Sequence, residues 1–274
     1  MKQITKVWAV YFTGTGNTKK MVSAVAKAAC DTLHCAYGEY DFSLPTARAQ
    51  ELSFADTDLV VFGTPVYAGR VPNVLLPYLT KNIKGNGALA IPVVTYGNRN
   101  FDDGLMELRN LMITNGLTPI AGGAFVGVHS FSTILGAGRP DADDLSMAQD
   151  LGSKAAEKIL SGATDTPVTV EGEDPIRTYY TPRDRNGTPI NILKVKPKTD
   201  TDKCINCGLC ARICTMGSID PKDVTSVTGI CIKCCACVKR CPKGAKYYDD
   251  EGYLYHQHEL EDVYARRGES KIFL

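Results

Sequence analysis

Through residues 1–161 the apolar residues fall into short unbroken blocks, separated by stretches in which they recur at helical spacing. Ile4–Phe12 reads as a strand, and buried-type runs return at Asp58–Thr64 (DLVVFGT), Ala88–Thr95 (ALAIPVVT) and Leu117–Val126. A weaker strand, Cys35–Tyr40, precedes a loop at Leu44–Phe54. Between the blocks, Asn17–Leu33 sets Met21, Val22, Val25 and Ala29 on one side of a helix. Val74–Leu79 continues a helix after Pro72, and Leu105–Ile113 is a third helical stretch. Pro140–Leu160 is the last, with Pro140 in its first turn and Asp141 and Asp143 near its positive end. Five strands crossed by helices predict an α/β fold with a doubly wound parallel sheet and right-handed connections.

Beyond residue 161 this periodicity stops. Residues 162–198 hold five prolines and predict a partly ordered linker. Residues 199–249 contain a 27-residue internal repeat, Cys204 to Cys231, too small to bury much apolar surface by itself. Residues 250–274 form a tail rich in charge and tyrosine, with one helix expected at Glu259–Arg266. The predicted organisation is therefore 1–161, 162–198, 199–249 and 250–274.

Composition narrows the classes. The chain has 274 residues, 44% hydrophobic and 22% charged, an ordinary globular balance. A net charge of +1 gives no bulk electrostatic argument for nucleic acid or a membrane surface. No run of about 18 apolar residues predicts a membrane span. The opening segment lacks a signal-peptide cleavage pattern, so eleven cysteines predict metal ligation in a reducing cytoplasm.

Eight of those cysteines form two runs. The first is Cys204-x2-Cys207-x2-Cys210-x3-Cys214; the second is Cys231-x2-Cys234-x2-Cys237-x3-Cys241, followed by Pro242. Zinc motifs pair two ligands, run a long spacer and pair two more, which a doubled four-cysteine run does not do. The spacing predicts two 4Fe–4S clusters, the fourth cysteine of each run ligating the other cluster. One centre then takes Cys204, Cys207, Cys210 and Cys241, and the other Cys231, Cys234, Cys237 and Cys214. Thr215 rather than proline follows Cys214, a departure in loop geometry but not in ligation. Cys30, Cys35 and Cys235 are left over and read as packing thiols.

A second constellation sits after the first strand. Thr13-Gly14-Thr15-Gly16-Asn17-Thr18 opens the first helix with small, hydroxylated and glycine residues. Converging amides and a helix N-terminus favour a phosphate there, although such a loop alone could be a tight turn. The second buried strand ends in Thr64, Pro65, Val66, Tyr67, Ala68, Gly69 and Arg70. The third ends in Thr95, Tyr96, Gly97, Asn98, Arg99, Asn100 and Phe101. All three loops leave carboxyl ends of strands, where ligands of open α/β sheets bind, and two bring aromatic rings.

On these motifs residues 1–161 resemble flavodoxin, and the whole chain resembles the flavodoxin–ferredoxin fusion proteins of anaerobes (EFR-type ferrodoxins). The resemblance implies that Thr13 to Thr18 hold the phosphate of FMN. It implies that the Pro65–Arg70 loop sits against the flavin with Tyr67 a stacking candidate, and that the Gly97–Phe101 loop covers the other side, with Phe101 where flavodoxins often have tyrosine; Thr95, Tyr96 and Asn98 complete the candidate contacts. Short flavodoxins are usually acidic, whereas residues 1–160 carry 14 basic and 14 acidic side chains. Arg70 and Arg99 lie in the flavin loops and would raise its potential unless they are simply solvated. His129, in the loop after the fourth buried strand, is a proton-donor candidate, with a plain loop-bracing role as the alternative. The Tyr179–Tyr180 and Tyr247–Tyr248 pairs read as packing.

The expected function is electron transfer between two 4Fe–4S clusters, FMN and redox partner proteins. The alternative is a ferredoxin-fed, FMN-dependent oxidoreductase acting on a small-molecule acceptor, with His129, Tyr67 and Tyr96 lining its pocket.

Overall fold

The computed structural model describes residues 2–274. Its N-terminal part alternates strand and helix: β1 (Lys6–Tyr11), α1 (Asn17–Leu33), β2 (Ala36–Asp41), β3 (Asp58–Pro65), α2 (Leu76–Lys81), β4 (Leu89–Tyr96), α3 (Gly104–Thr114), β5 (Gly122–Val126) and α4 (Ala142–Leu160). These five strands pair in parallel in the order β2-β1-β3-β4-β5. That is the flavodoxin-like doubly wound order.

Strand alternation divides the core in two. Val7, Ala9 and Tyr11 point to one face, packed on α1 and α4; Val10 and Phe12 point to the other, packed among Leu75, Leu79, Leu105 and Leu108. Gly152 of α4 lets the first face close up. A Cβ there would lie 2.2 Å from the Val25 carbonyl of α1. α4 begins two residues later than Pro140–Leu160, because Asp141 is its N-cap and forms a reciprocal capping box with Asp144.

Residues 162–198 do not behave as a loose linker. Val168 and Val170 are buried in the Phe12 face of the core. The Val168 amide donates to Pro119 O (2.8 Å), and Arg109 Nε donates to Val168 O (2.7 Å). Buried Asp103 accepts from the amides of Glu173 and Arg177 and from the Arg177 guanidinium (2.6–3.0 Å). Proline spacing masked this role, since each contact is a single anchor with no period to read.

The tail also differs from expectation. Its helix is α7 (Glu251–Val263), started by Asp250, whose side chain accepts the Tyr253 amide at 2.9 Å. Tyr253, His256 and Leu260 form its buried side. The chain then returns to the main sheet, where β8 (Lys271–Phe273) pairs antiparallel with β5; with the short Thr118–Pro119 strand beside β4 the sheet has seven strands. The open edge of β5 is thereby covered.

Residues 199–249 are built twice. Lys198–Thr199 (β6) pairs antiparallel with Lys246–Tyr247 (β7), and two one-turn helices, α5 (Leu209–Arg212) and α6 (Ala236–Lys239), lie between. Left-handed backbone recurs at the repeat offset: Asn206 and Lys233, Gly208 and Cys235, Gly217 and Gly244. Glycine suits that conformation, and Cys235 adopts it (φ 57°) at a cost of about 1 kcal/mol.

Candidate functional site

The two cysteine runs wrap around each other. One cavity is lined by Cys204, Cys207 and Cys210 of the first run together with Cys237 and Cys241 of the second. Cys214 is absent from that wall. Its sulfur accepts the Ser218 amide at 3.3 Å, and Cys241 accepts the Ala245 amide at the same distance, four residues on in each half. N–H···S contacts of this kind stabilise thiolate charge. Burial alone would raise the Cys241 pKa, but the surrounding amides of Lys243, Ala245, Lys246 and Gly244 outweigh it and the pKa is lowered. Burial pushes the Cys234 and Cys237 thiols up, so iron binding there must displace protons. No three His, Cys, Asp or Glu side chains among the described residues converge as ligands for a single ion. Thiols set around a cavity suit a polynuclear cluster better than one zinc. Cys235 is buried and points away, its Sγ 3.3 Å from Lys233 O and 3.5 Å from Tyr253 Oη; burial raises it to about 12.

The threonine loop lies at the carboxyl end of β1. Gly16 (φ 103°) is the N-cap of α1 without a side-chain cap, and no acidic residue occupies the first turn. The Gly16 amide donates to Thr13 Oγ1 (2.9 Å), and buried Thr18 Oγ1 pairs with Thr95 Oγ1 (2.7 Å). The amides of Gly14, Thr15, Asn17, Thr18 and Lys19 have no partner among the described residues. Thr13–Thr15, Asn17 and Thr18 share one cavity wall with Pro65–Tyr67, Thr95–Gly97 and the loop Gly127–Ser130. The three loops named from the sequence thus share one cavity with the loop after the fourth buried strand, of which the sequence reading singled out His129.

Cys234 lines this cavity as well. A Cβ on Gly14 would lie 2.8 Å from Cys234 Cβ, 3.2 Å from its carbonyl oxygen and 3.5 Å from its sulfur. Only glycine lets the second cysteine run approach so closely. Arg48 Nη2 donates to Thr215 O (2.6 Å), and Lys239 Nζ donates to the carbonyls of His129 (2.5 Å) and Ser132 (2.7 Å).

A larger cavity, about 760 Å³, adjoins the first and shares Val66, Tyr67, Gly97, His129 and Ser130 with it. Its other walls come from Ala68 and Gly69, from Tyr179 and Tyr180 of the 162–198 segment, from Ile230 and Ile232 near the second cysteine run, and from His256 of α7. Tyr67 lines both cavities. Its carbonyl and amide close a tight turn with Arg70, and burial raises its pKa well above ordinary.

Phe101 does not join either cavity. It is buried beside Tyr96 (ring centroids 5.6 Å apart) in the core. Asn98 (φ 68°) is buried as a brace for the tail: its amide donates to Tyr264 O and Arg266 O, both at 2.7 Å, and its oxygen accepts the Gly268 amide at 2.9 Å. The Tyr96 hydroxyl donates to Glu269 O at 2.5 Å. Arg70 is held by Glu107 and Arg99 by Asp102. Each loop arginine is thus ion-paired rather than free beside the ring site.

His129 lies at the junction of the two cavities. Its Nδ1 accepts the Phe131 amide (3.1 Å), and burial lowers its pKa to about 3. It is neutral at neutral pH, so Nε2–H is available as a hydrogen-bond donor but the ring is not an acid. His256 is lowered to about 4 by burial and by Arg99.

Comparison with known proteins covers the two parts separately. Residues 197–220 match the family described as a 4Fe-4S binding domain. Among solved structures, a flavodoxin from the domain Archaea is 15% identical, with 57% of this chain and 99% of that chain covered at a TM-score of 0.42. A flavodoxin of Streptococcus pneumonia TIGR4 is 17% identical over 56% of this chain and 99% of that one, TM-score 0.40. Rubredoxin oxygen:oxidoreductase of Desulfovibrio gigas is 13% identical over 59% and 38%, TM-score 0.43. No curated protein matches the sequence.

Proposed function

We propose that the chain is an electron-transfer iron–sulfur flavoprotein carrying one FMN and two 4Fe–4S clusters, serving redox partner proteins in the cytoplasm. The fit to FMN rests on two features of the site. Five unpartnered amides around Thr13–Lys19 form an anion cradle at the positive end of α1. The 760 Å³ cavity beside Tyr67 offers room and aromatic surface for a ring system. When bound, FMN exchanges one or two electrons and each cluster exchanges one.

The chain's own residues supply order. The single observation that carries the reading is the contact of Cys234 with Gly14, which sets the second cysteine run against the phosphate cradle. Cys207, in contrast, is exposed. The centre held by Cys231, Cys234, Cys237 and Cys214 therefore serves the flavin, and the centre held by Cys204, Cys207, Cys210 and Cys241 serves the partner. His129 offers a neutral Nε2–H toward the ring site, and Lys239 fixes its backbone. The unit boundaries proposed are 1–161 for the flavin part and 199–249 for the cluster part. Residues 162–198 and 250–274 act as straps on the flavin part.

The test is anaerobic extraction and titration of the purified protein. The expected result is FMN at one per chain, iron sufficient for two four-iron clusters, and flavin reduction that depends on the Cys234 centre. Recovery of FAD, or of no flavin, would sink the reading. A second reading, a reductase acting on a small acceptor, is favoured by the size of the cavity.

A further inference from the structure

We infer that the outer part of the 760 Å³ cavity is a binding site for a neutral, planar, conjugated carbonyl compound of the quinone class, held against an aromatic wall and hydrogen-bonded by His256. The inference rests on the reading of the inner part as the flavin-ring site. A cavity of this volume lies toward the top of the roughly 300–1,000 Å³ range of small-ligand pockets, more than one three-ring system fills.

The wall chemistry selects the class. Tyr180 stacks on His256 (6.2 Å, 28° between planes), and Phe131 meets His256 edge-on at 6.2 Å. Arg99 backs the far face of this aromatic group, 4.7 Å from the Tyr180 ring. Aliphatic side chains, among them Ile190, Ile232 and Leu260, complete the slot. Flat conjugated molecules suit such a slot.

Charge is neutralised throughout. The two cations on the wall are Arg99 and Lys233, and no Asp or Glu lines it among the described residues. Arg99 is paired with Asp102. Lys233 Nζ donates to the carbonyls of Leu193 (3.1 Å) and Cys231 (3.0 Å); it keeps its charge, and the counter-charge beside it is the Cys231 thiolate of the proposed centre, which shares this wall. An anionic ligand, or the pyrophosphate of a nicotinamide dinucleotide, finds no free counter-charge here.

One polar group is unspent. His256 is 5% exposed, and its Nδ1 is buried without a hydrogen-bond partner. Nε2 likewise has no partner among the described residues and is not sealed off, so a ligand's carbonyl or hydroxyl in the slot can bond it. The imidazole is neutral, so it can present either a donor or an acceptor to a neutral oxygen.

The test uses the oxidised holoprotein, in which no turnover occurs, and calorimetry with 1,4-naphthoquinone and its 2-sulfonate as probes. The neutral quinone is expected to bind at least about tenfold tighter than the sulfonate, the penalty of an unpaired anion. His256→Phe, which keeps the stacking surface, should weaken the quinone about tenfold, the equivalent of one hydrogen bond, and His256→Gln should restore much of it. Tyr180→Ala should weaken it comparably. FMN and iron content of each variant are measured alongside. A sulfonate that binds as tightly as the quinone overturns the inference without any variant, as does a His256→Phe protein with normal cofactors and unchanged affinity. Protein with normal FMN and no quinone binding rejects this inference alone, whereas absence of FMN rejects the function on which it rests.

Discussion

Cys241 closes the second run in sequence, yet it lines the cavity of the first, and cross-ligation assigns it to that centre. Cys241→Ala should therefore remove the same paramagnetic signal as Cys204→Ala, and Cys214→Ala the same signal as Cys231→Ala, in reduced protein. If Cys241→Ala instead matches Cys231→Ala, each run holds its own centre. Cys235 should behave differently. It takes the left-handed backbone that glycine takes at Gly208, so Cys235→Gly should relieve about 1 kcal/mol of strain while losing a similar amount of packing. Its iron content should match wild type; a lost cluster would make Cys235 a ligand. The histidines make a pH prediction. Folding lowers His129 to about 3 and His256 to about 4, both below the unfolded value of about 6.5. The unfolded chain then binds more protons than the folded one as pH falls below about 6.5. Stability is full above that pH and is lost toward pH 4 and below, by about 1.4 kcal/mol per pH unit for each group. Unfolding midpoints measured between pH 7 and 5 should drop less in His256→Phe than in wild type.

At the scale of elements, the cradle and the cysteine runs were legible because their chemistry is local. Thr13–Thr18 is one loop before one helix, and the cysteine spacing carries its own geometry. The partners at a distance were not legible. Tyr179, Tyr180 and His256 reach the cavity from segments whose anchors are single residues, and nothing in their order marks them as neighbours of Tyr67. Phe101 misled for a related reason. A loop aromatic after β4 reads as a ring cover, but Tyr96 and the core offer it more apolar contact than the cavity does. Two substitutions probe the elements directly. Gly14→Ala adds a methyl group against the Cβ and carbonyl of Cys234, neither of which is the end of a flexible chain. It should cost about 1–3 kcal/mol and slow flavin reduction through the clusters, with both cofactors retained. Stopped-flow traces identical to wild type would mean that the seam is not an electron route. Asn98→Ala removes three hydrogen bonds at a left-handed position and should cost about 2–4 kcal/mol. Asn98→Gly should recover about 1 kcal/mol of this. Faster protease cleavage near Tyr264 in both variants is the accompanying readout.

For the whole molecule, the cluster part is enclosed by the chain of the flavin part rather than appended to it. The strap at Val168 and Val170 leaves the core, the two cysteine runs follow, and the tail comes back to brace Asn98 and to pair with β5. The consequence concerns time. Synthesis proceeds from the N-terminus, and the strand at Lys271–Phe273 emerges only after β5 and both cysteine runs have been made. Until then β5 is an unpaired edge and the wall bearing His256 does not exist. Pairing Lys271 with Ala124 closes a very long loop, among the slowest kinds of contact to form. The threonine cradle and the cavity among the cysteines precede that strand in the chain, so cofactors of the proposed kind would meet an open site first, closed only when Lys271–Phe273 pairs with β5.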